Sequence, residues 1–308
     1  MSAGGGTRAI IAALLANALI ALAKFVGFLI TGASSMLAEA VHSVADTSNQ
    51  GLLLVGQKTS RRRATPEHPF GYGRDRYFYS FVVALLLFTL GSVFAIYEGI
   101  HKIRHPEPLT SPYVAIGILV VAITLEAFSF RTAIAESREL KGDSSWWQFI
   151  RQAKTPELPV VLLEDAGALF GLVLAFGGVG LTLLTGNPVW DGIGTIGIGL
   201  LLGVIAITLI VETKSLLIGE GATPEELRTI VTELEAGRVD RVIHIRTQYL
   251  GPDELLVAAK IALVPNLTVA ETAREIDEAE QRVRAKVPAA RLIYLEPDLD
   301  RTTPNVKV

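Results

Sequence analysis

The sequence predicts an α-helical membrane protein: six transmembrane helices followed by a small cytoplasmic α+β domain. Three observations carry this reading. The 308-residue chain is 50% hydrophobic with a mean hydropathy of +0.43, more apolar than an ordinary soluble chain. Its long apolar runs all lie within residues 1–218, whereas 219–308 is rich in Glu, Asp, Arg and Lys. Clusters of Gly, Pro, Ser and Asp punctuate the apolar part at the intervals that helical spans require. The expected division is a six-helix transmembrane domain over 1–218 and a cytoplasmic domain over 219–308.

Taken in order, the apolar segments fall near 9–30, 36–57, 77–101, 112–134, 158–184 and 189–217. Each supplies the about 20 helical residues that a bilayer needs. Arg8 is the only early charge, and the first segment runs past the usual length of a signal-peptide core, so it reads as a retained helix. The breaks are TGASS at 31–35, RRRATPEHPFGYGR at 61–74, HPEPLTSP at 105–112, GDSSWW at 142–147 and TGNPVWDG at 185–192. The loop after the second segment carries Lys58, Arg61, Arg62, Arg63, Arg74 and Arg76, and the loop after the fourth carries Arg138, Lys141, Arg151 and Lys154. The loops after the first and fifth segments carry no Lys or Arg, and the loop after the third only Lys102 and Arg104. An excess of cations marks cytoplasmic loops. Both termini are therefore expected in the cytoplasm. The glycine-rich stretches FGGVG and GIGTIGIG read as helix-packing surfaces rather than phosphate loops.

The tail alternates elements quickly. TPEE at 223–226 is a capping box with Pro at the first helical position, and predicts a helix to about 235. RVIHIRTQYL (241–250) and ELLVAAKIALV (254–264) read as strands around a GPD turn. Thr268 and Glu271 form a second box, and Val269, Ala273, Ile276, Val283 and Val287 mark one helical face. RLIYLEP (291–297) is a last strand. The order α-β-β-α-β predicts a ferredoxin-like layer of helices on a sheet.

Composition excludes some functions. With no cysteine there are no disulfides and no thiolate metal sites, so any metal site draws on His and carboxylates. A net charge of −3 without a basic stripe gives no footprint for nucleic acid.

The second segment contains AEAVHSVADTSNQ, residues 38–50. His42 and Asp46 are four apart and share one helix face, with Glu39 and Asn49 near the same stripe. The fifth segment carries Glu164 and Asp165 side by side. Ionised groups at membrane depth are costly and mark functional sites. His42, Asp46 and Asp165 together suggest a cation site. Such ligands bind metal only when deprotonated, so protons compete with the ion. Other charges invite plainer readings. Glu39 fits a solvated helix end, Lys24 a snorkelling or ion-paired cation, and Glu126 a structural partner of Arg131 or Lys24.

GASSMLAEAVHSVADTSNQ, then HPFGYGRDRY, the six segments and the α-β-β-α-β tail resemble the cation diffusion facilitator family of divalent-metal transporters. TPEHPFGYGRDRY, VVLLEDAGALFG and LTGNPVWDGIGTIGIGLLLG narrow the resemblance to the branch of the mitochondrial zinc transporters of animals and their bacterial relatives. The resemblance covers nearly the whole chain. It implies a non-enzymatic antiporter that exports Zn²⁺ from the cytoplasm against protons by alternating access, with Mn²⁺ or Fe²⁺ (or Co²⁺ or Cd²⁺) as the alternative cargo. It also implies a homodimer held by the tail, and the short N-terminus without a transit segment leads us to expect a bacterial plasma membrane. Its ligands map to His42, Asp46 and Asp165. The family's usual fourth ligand, four residues before Asp165, is here Val161. Glu164 is the candidate replacement: it lies about 60° from Val161 around the helix. Water or Asn49 would complete the shell equally well. In the loop after the second segment only His68 of a further family site survives, with Thr65 and Tyr72 at the other places. In the tail, His244 and Glu296 match ligand positions, but Tyr294 stands where His is usual.

Two other classes compete with transport. Asp46 and Asp165 would serve as the dyad of an intramembrane aspartyl protease, although that leaves His42 unexplained and the Gly-x-Gly-Asp context is missing. A non-transporting scaffold with a vestigial site fits the lost ligands.

Overall fold

The computed structural model describes residues 18–299, apart from the side chains of 87, 88, 136, 139, 140 and 152. Residues 9–17 of the first predicted segment lie outside this range. The chain divides into two compact units. One comprises the residues up to Lys58 with Phe78–Lys214, and the other Thr59–Tyr77 with Ser215 onward.

The helices of the apolar part are α1 (Ala18–Thr31), α2 (Ser34–Thr59), α3 (Asp75–Arg104), α4 (Pro112–Lys141), the short α5 (Trp146–Gln152), α6 (Glu157–Thr185) and α7 (Val189–Ile218). Among the described residues, four are long and apolar enough to cross a membrane: α3, α4 over Pro112–Ala135, α6 and α7. α2 has the length, at 26 residues. Its run of Glu39, His42, Asp46, Ser48, Asn49 and Gln50 keeps it below that standard. α1 starts at the edge of the described residues and is shorter.

Two local features depart from the sequence expectation. α3 contains a π-helical turn at Val83–Phe88, which no Gly or Pro announces. GDSSWW, expected as a plain break, opens into α5 because the Ser145 hydroxyl accepts the Gln148 N–H at 3.1 Å and caps a new helix.

The glycines of α6 and α7 serve close packing, as their spacing predicts. A Cβ at Gly199 would stand 2.8 Å from the Ile96 nitrogen and 2.9 Å from the Ser92 carbonyl of α3. A Cβ at Gly194 would stand 3.0 Å from the Leu174 carbonyl of α6. Helices in lipid gain affinity from such backbone approach because no hydrophobic drive separates them from the solvent. Met36, Leu119, Leu172, Ile198 and Leu202 fill the interior. The outer faces remain apolar: Phe128 is 74% exposed and Leu184 82%, the surface a lipid phase would cover.

The α1–α2 turn is built tightly. Gly32 takes a positive φ of 68° and donates its N–H to the Phe28 carbonyl. Asp191 of α7 caps α2 from outside: its carboxylate accepts the Ser34 N–H at 2.7 Å, the Ser35 N–H at 3.3 Å and the Ser35 hydroxyl. A carboxylate there meets both the free amides and the positive end of the helix dipole.

In the second unit, α8 (Pro224–Leu234), β1 (Val239–Gly251), β2 (Glu254–Leu263), α9 (Val269–Lys286) and β3 (Leu292–Pro297) follow the predicted order. β1 and β2 are an antiparallel hairpin, and β3 joins β2 in parallel, with α9 as the crossover that a parallel pair needs. Both capping boxes form. Thr223 and Thr268 accept the amides of Glu226 and Glu271, whose carboxylates accept the threonine amides in return. Ile230 and Leu234 of α8 and Ala279 and Val283 of α9 pack with Leu255, Val257 and Ile261 of β2. The expected face of α9 packs against the core at Ile276, Val283 and Val287, but its first turns differ. Val269 is 88% exposed, while Glu275 is buried and pairs with Arg282 at 3.1 Å.

Candidate cation site

The site rests on α2 and α6. On α2, His42 and Asp46 stack one turn apart, with His42 Nδ1 3.4 Å from Asp46 Oδ1. His42 is 2% exposed. One turn further on, Asn49 is buried as well. On α6, Glu164 is 3% exposed, and neither of its carboxylate oxygens accepts a hydrogen bond of good geometry. Its polar neighbours are Asp46 and Asn49. Asp165, adjacent in sequence, is only partly buried and accepts the Ser129 hydroxyl of α4 at 3.1 Å.

Asp46, Glu164 and Asp165 border a cavity of about 220 Å³ whose polar lining also includes Ser43, Glu126 and Ser129. The structure therefore brings Asp46, Glu164 and Asp165 to one space and holds His42 against Asp46. His42 and Asn49 do not themselves line it, and neither does Val161. Among the described residues no group of three or more His, Asp or Glu side chains closes to metal-binding distance. The chemistry of the lining nonetheless suits a cation: oxygen ligands, of which the buried Glu164 accepts no hydrogen bond of good geometry at either carboxylate oxygen. An uncompensated carboxylate in such surroundings is costly, and a divalent ion offsets that cost.

Two of the plainer readings change here. Glu39 is fully buried rather than at a solvated end. Its carboxylate receives the Lys24 ammonium at 3.1 Å, and Lys24 also donates to Ser43 at 2.8 Å. Gly171 on α6 makes room for it, because a Cβ there would collide with Glu39 Oε1. Glu126, read from sequence as a lone structural acid, lines the cavity. The sequence signal that could have found it is its place on α4 three residues before Ser129, which puts both on one face.

The remaining candidates are engaged elsewhere. In the 61–74 loop, Thr65 and His68 exchange backbone hydrogen bonds of 3.1 Å, and the His68 ring meets the Tyr72 ring edge-on at 4.6 Å. Gly73 packs against Leu250 and Gly251 of β1. In the tail, His244, Lys260 and Glu296 are cross-strand partners on β1, β2 and β3. Lys260 stands between the two candidate ligands and takes Glu296 at 2.9 Å, while His244 Nε2 accepts from Arg246 Nε at 3.1 Å. The two nearby carboxylates, Glu296 first and then Asp298, raise Lys260 above its ordinary pKa and hold it charged.

The decisive comparison is with protein families. The cation efflux transmembrane domain matches residues 10–218. The chain belongs to the cation efflux family, the cation diffusion facilitators. As a cation efflux protein with four helices able to span a bilayer among the described residues, it is an integral membrane protein. It is 36% identical over 261 residues to a protein of Xenopus laevis named mitochondrial proton-coupled zinc antiporter SLC30A9, covering 83% of this chain and 46% of that relative. Metal tolerance protein C4 of Arabidopsis thaliana is 31% identical over 82% of this chain and 56% of its own length. The magnetosome protein MamB of Paramagnetospirillum magneticum is 25% identical over 92% of this chain and 90% of its own. The chain spans about half the length of the first of these relatives. The solved C-terminal domain of MamM in its nickel form is 21% identical over 25% of this chain and 96% of its own, with a TM-score of 0.24.

Proposed function

We propose that this cation efflux protein exports a divalent metal ion, with Zn²⁺ as cargo, in exchange for protons. The observation that carries the reading is the buried His42–Asp46 pair set beside Glu164 and the Asp165-lined cavity. One imidazole and three carboxylates give a first-row divalent ion N and O donors. The same groups take protons when the ion leaves, so one set of side chains couples the two fluxes. The names of relatives such as the Xenopus zinc antiporter support the cargo and the coupling.

The ligands are His42, Asp46 and Asp165, with Glu164 in place of the side chain missing at Val161 and Asn49 as the neighbouring amide. Alternating access requires them to close on the ion and open again. Six helices span the membrane, α1 and α2 among them, with both termini in the cytoplasm of a bacterial plasma membrane. The domains are 1–218 and 219–308, and two copies pair through the tail. No enzymatic step is involved.

Proteoliposome flux tests this reading. The wild-type protein should move Zn²⁺ with a counter-movement of protons, and Asp46→Ala should abolish both. Apparent Zn²⁺ affinity should fall as pH drops, because protons compete with the ion for the imidazole and carboxylate ligands. Affinity that is flat between about pH 5.5 and 7.5 would refute direct competition. Peptide cleavage without flux would favour the aspartyl protease, and neither activity would favour a scaffold.

A further inference from the structure

The site proposed above takes its ligands from α2 and α6 alone, yet α4 also reaches the cavity. α4 packs along α6, and Ser129 fixes which face it turns there by donating to Asp165 at 3.1 Å. Glu126 lies one turn before Ser129 on that face and lines the cavity with Asp46, Glu164 and Asp165. Its charge acts on each of those three. The structural role open to it, an ion pair, is not taken. Lys24 holds Glu39 and Ser43 instead, and no ion pair of Glu126 forms among the described residues. Clustered acids alone do not make a site. Here Glu164 supplies the second observation: it is 3% exposed, lines the same cavity, and accepts no hydrogen bond of good geometry at either carboxylate oxygen.

We infer that Glu126 is a specificity-determining residue of the cation cavity, and that it extends the cargo from Zn²⁺ to an oxygen-preferring divalent ion such as Mn²⁺. The inference rests on the transport reading. Zn²⁺ is satisfied by four ligands and gains from the His42 nitrogen. Mn²⁺ prefers a larger shell of carboxylate, carbonyl and water oxygens. A fourth carboxylate, with Ser43 and Ser129 beside it, adds what the second ion needs and the first does not.

The test is uptake of Zn²⁺ and Mn²⁺ into proteoliposomes by the full chain under one imposed pH gradient. Wild type should carry both ions. Glu126→Gln should weaken apparent Mn²⁺ affinity by at least about tenfold and Zn²⁺ affinity by less than about threefold. Glu126→Asp, which keeps the charge, should retain Mn²⁺ uptake. No Mn²⁺ uptake by wild type, unchanged Mn²⁺ affinity in Glu126→Gln, or equal loss of both ions in the Gln and Asp variants overturns the inference. Asp46→Asn separates the two levels. If it abolishes Zn²⁺ flux while Glu126→Gln changes nothing, only the role of Glu126 fails. If Zn²⁺ flux survives Asp46→Asn, the transport site itself has been misplaced.

Discussion

Lys24 and Glu39 show how a single pair of residues sets the conditions for the site beside it. Both are almost completely buried and 3.1 Å apart. A buried ion pair is weak evidence for net stabilisation, but removing one partner strands a charge. Lys24→Met should therefore lower stability by about 3–5 kcal/mol, and Lys24→Met combined with Glu39→Gln should recover most of it. Thermal unfolding in detergent reads both, and a single variant as stable as wild type would contradict the pairing. At this scale the sequence was partly legible. The spacing of His42 and Asp46 predicted their contact, and adjacency on a helix flagged Glu164 and Asp165. Glu39 was misread and the cavity position of Glu126 was not foreseen, because burial and cavity lining depend on which helices become neighbours, and a run of residues carries no such information. His244 and Glu296 matched a pattern, but Lys260, on the strand between them, neutralises the carboxylate.

Elements were legible where their ends carry chemistry. Both tail capping boxes form as spelled, because Thr and Glu three apart close a local ring of hydrogen bonds that needs no tertiary partner. α5 was missed because Ser145 was counted as a turn residue rather than a cap. The cap on α2 was out of reach, since Asp191 arrives from a helix about 150 residues later. The second box also sets a pH dependence. The Thr268 backbone N–H, and then its hydroxyl, hold Glu271 below its ordinary value of 4.5. A carboxylate held down in the folded state contributes stability above the unfolded pKa and loses it as pH falls through the folded one. Melting temperature should therefore drop on acidification below about 4.5, and Glu271→Gln should flatten that part of the profile. An unchanged slope in the variant would rule out this contribution.

For the whole molecule, the α-β-β-α-β order of the tail followed from period and turn chemistry, whereas the grouping of Thr59–Tyr77 with the second compact unit did not follow from composition. The number of spans was less legible. α2 carries Glu39, His42, Asp46, Ser48, Asn49 and Gln50, and that polarity leaves it outside the four helices that, among the described residues, are long and apolar enough to cross a membrane. The central claim is that the cavity between α2 and α6 is where the cargo ion binds. Anomalous scattering at the zinc edge from crystals of the metal-soaked protein tests it most directly. The expected result is a peak in that cavity beside Asp46, Asp165 and Glu164, on the side where His42 stacks against Asp46. A peak confined to the His68 loop or the His244–Glu296 row, with the cavity empty, would contradict it.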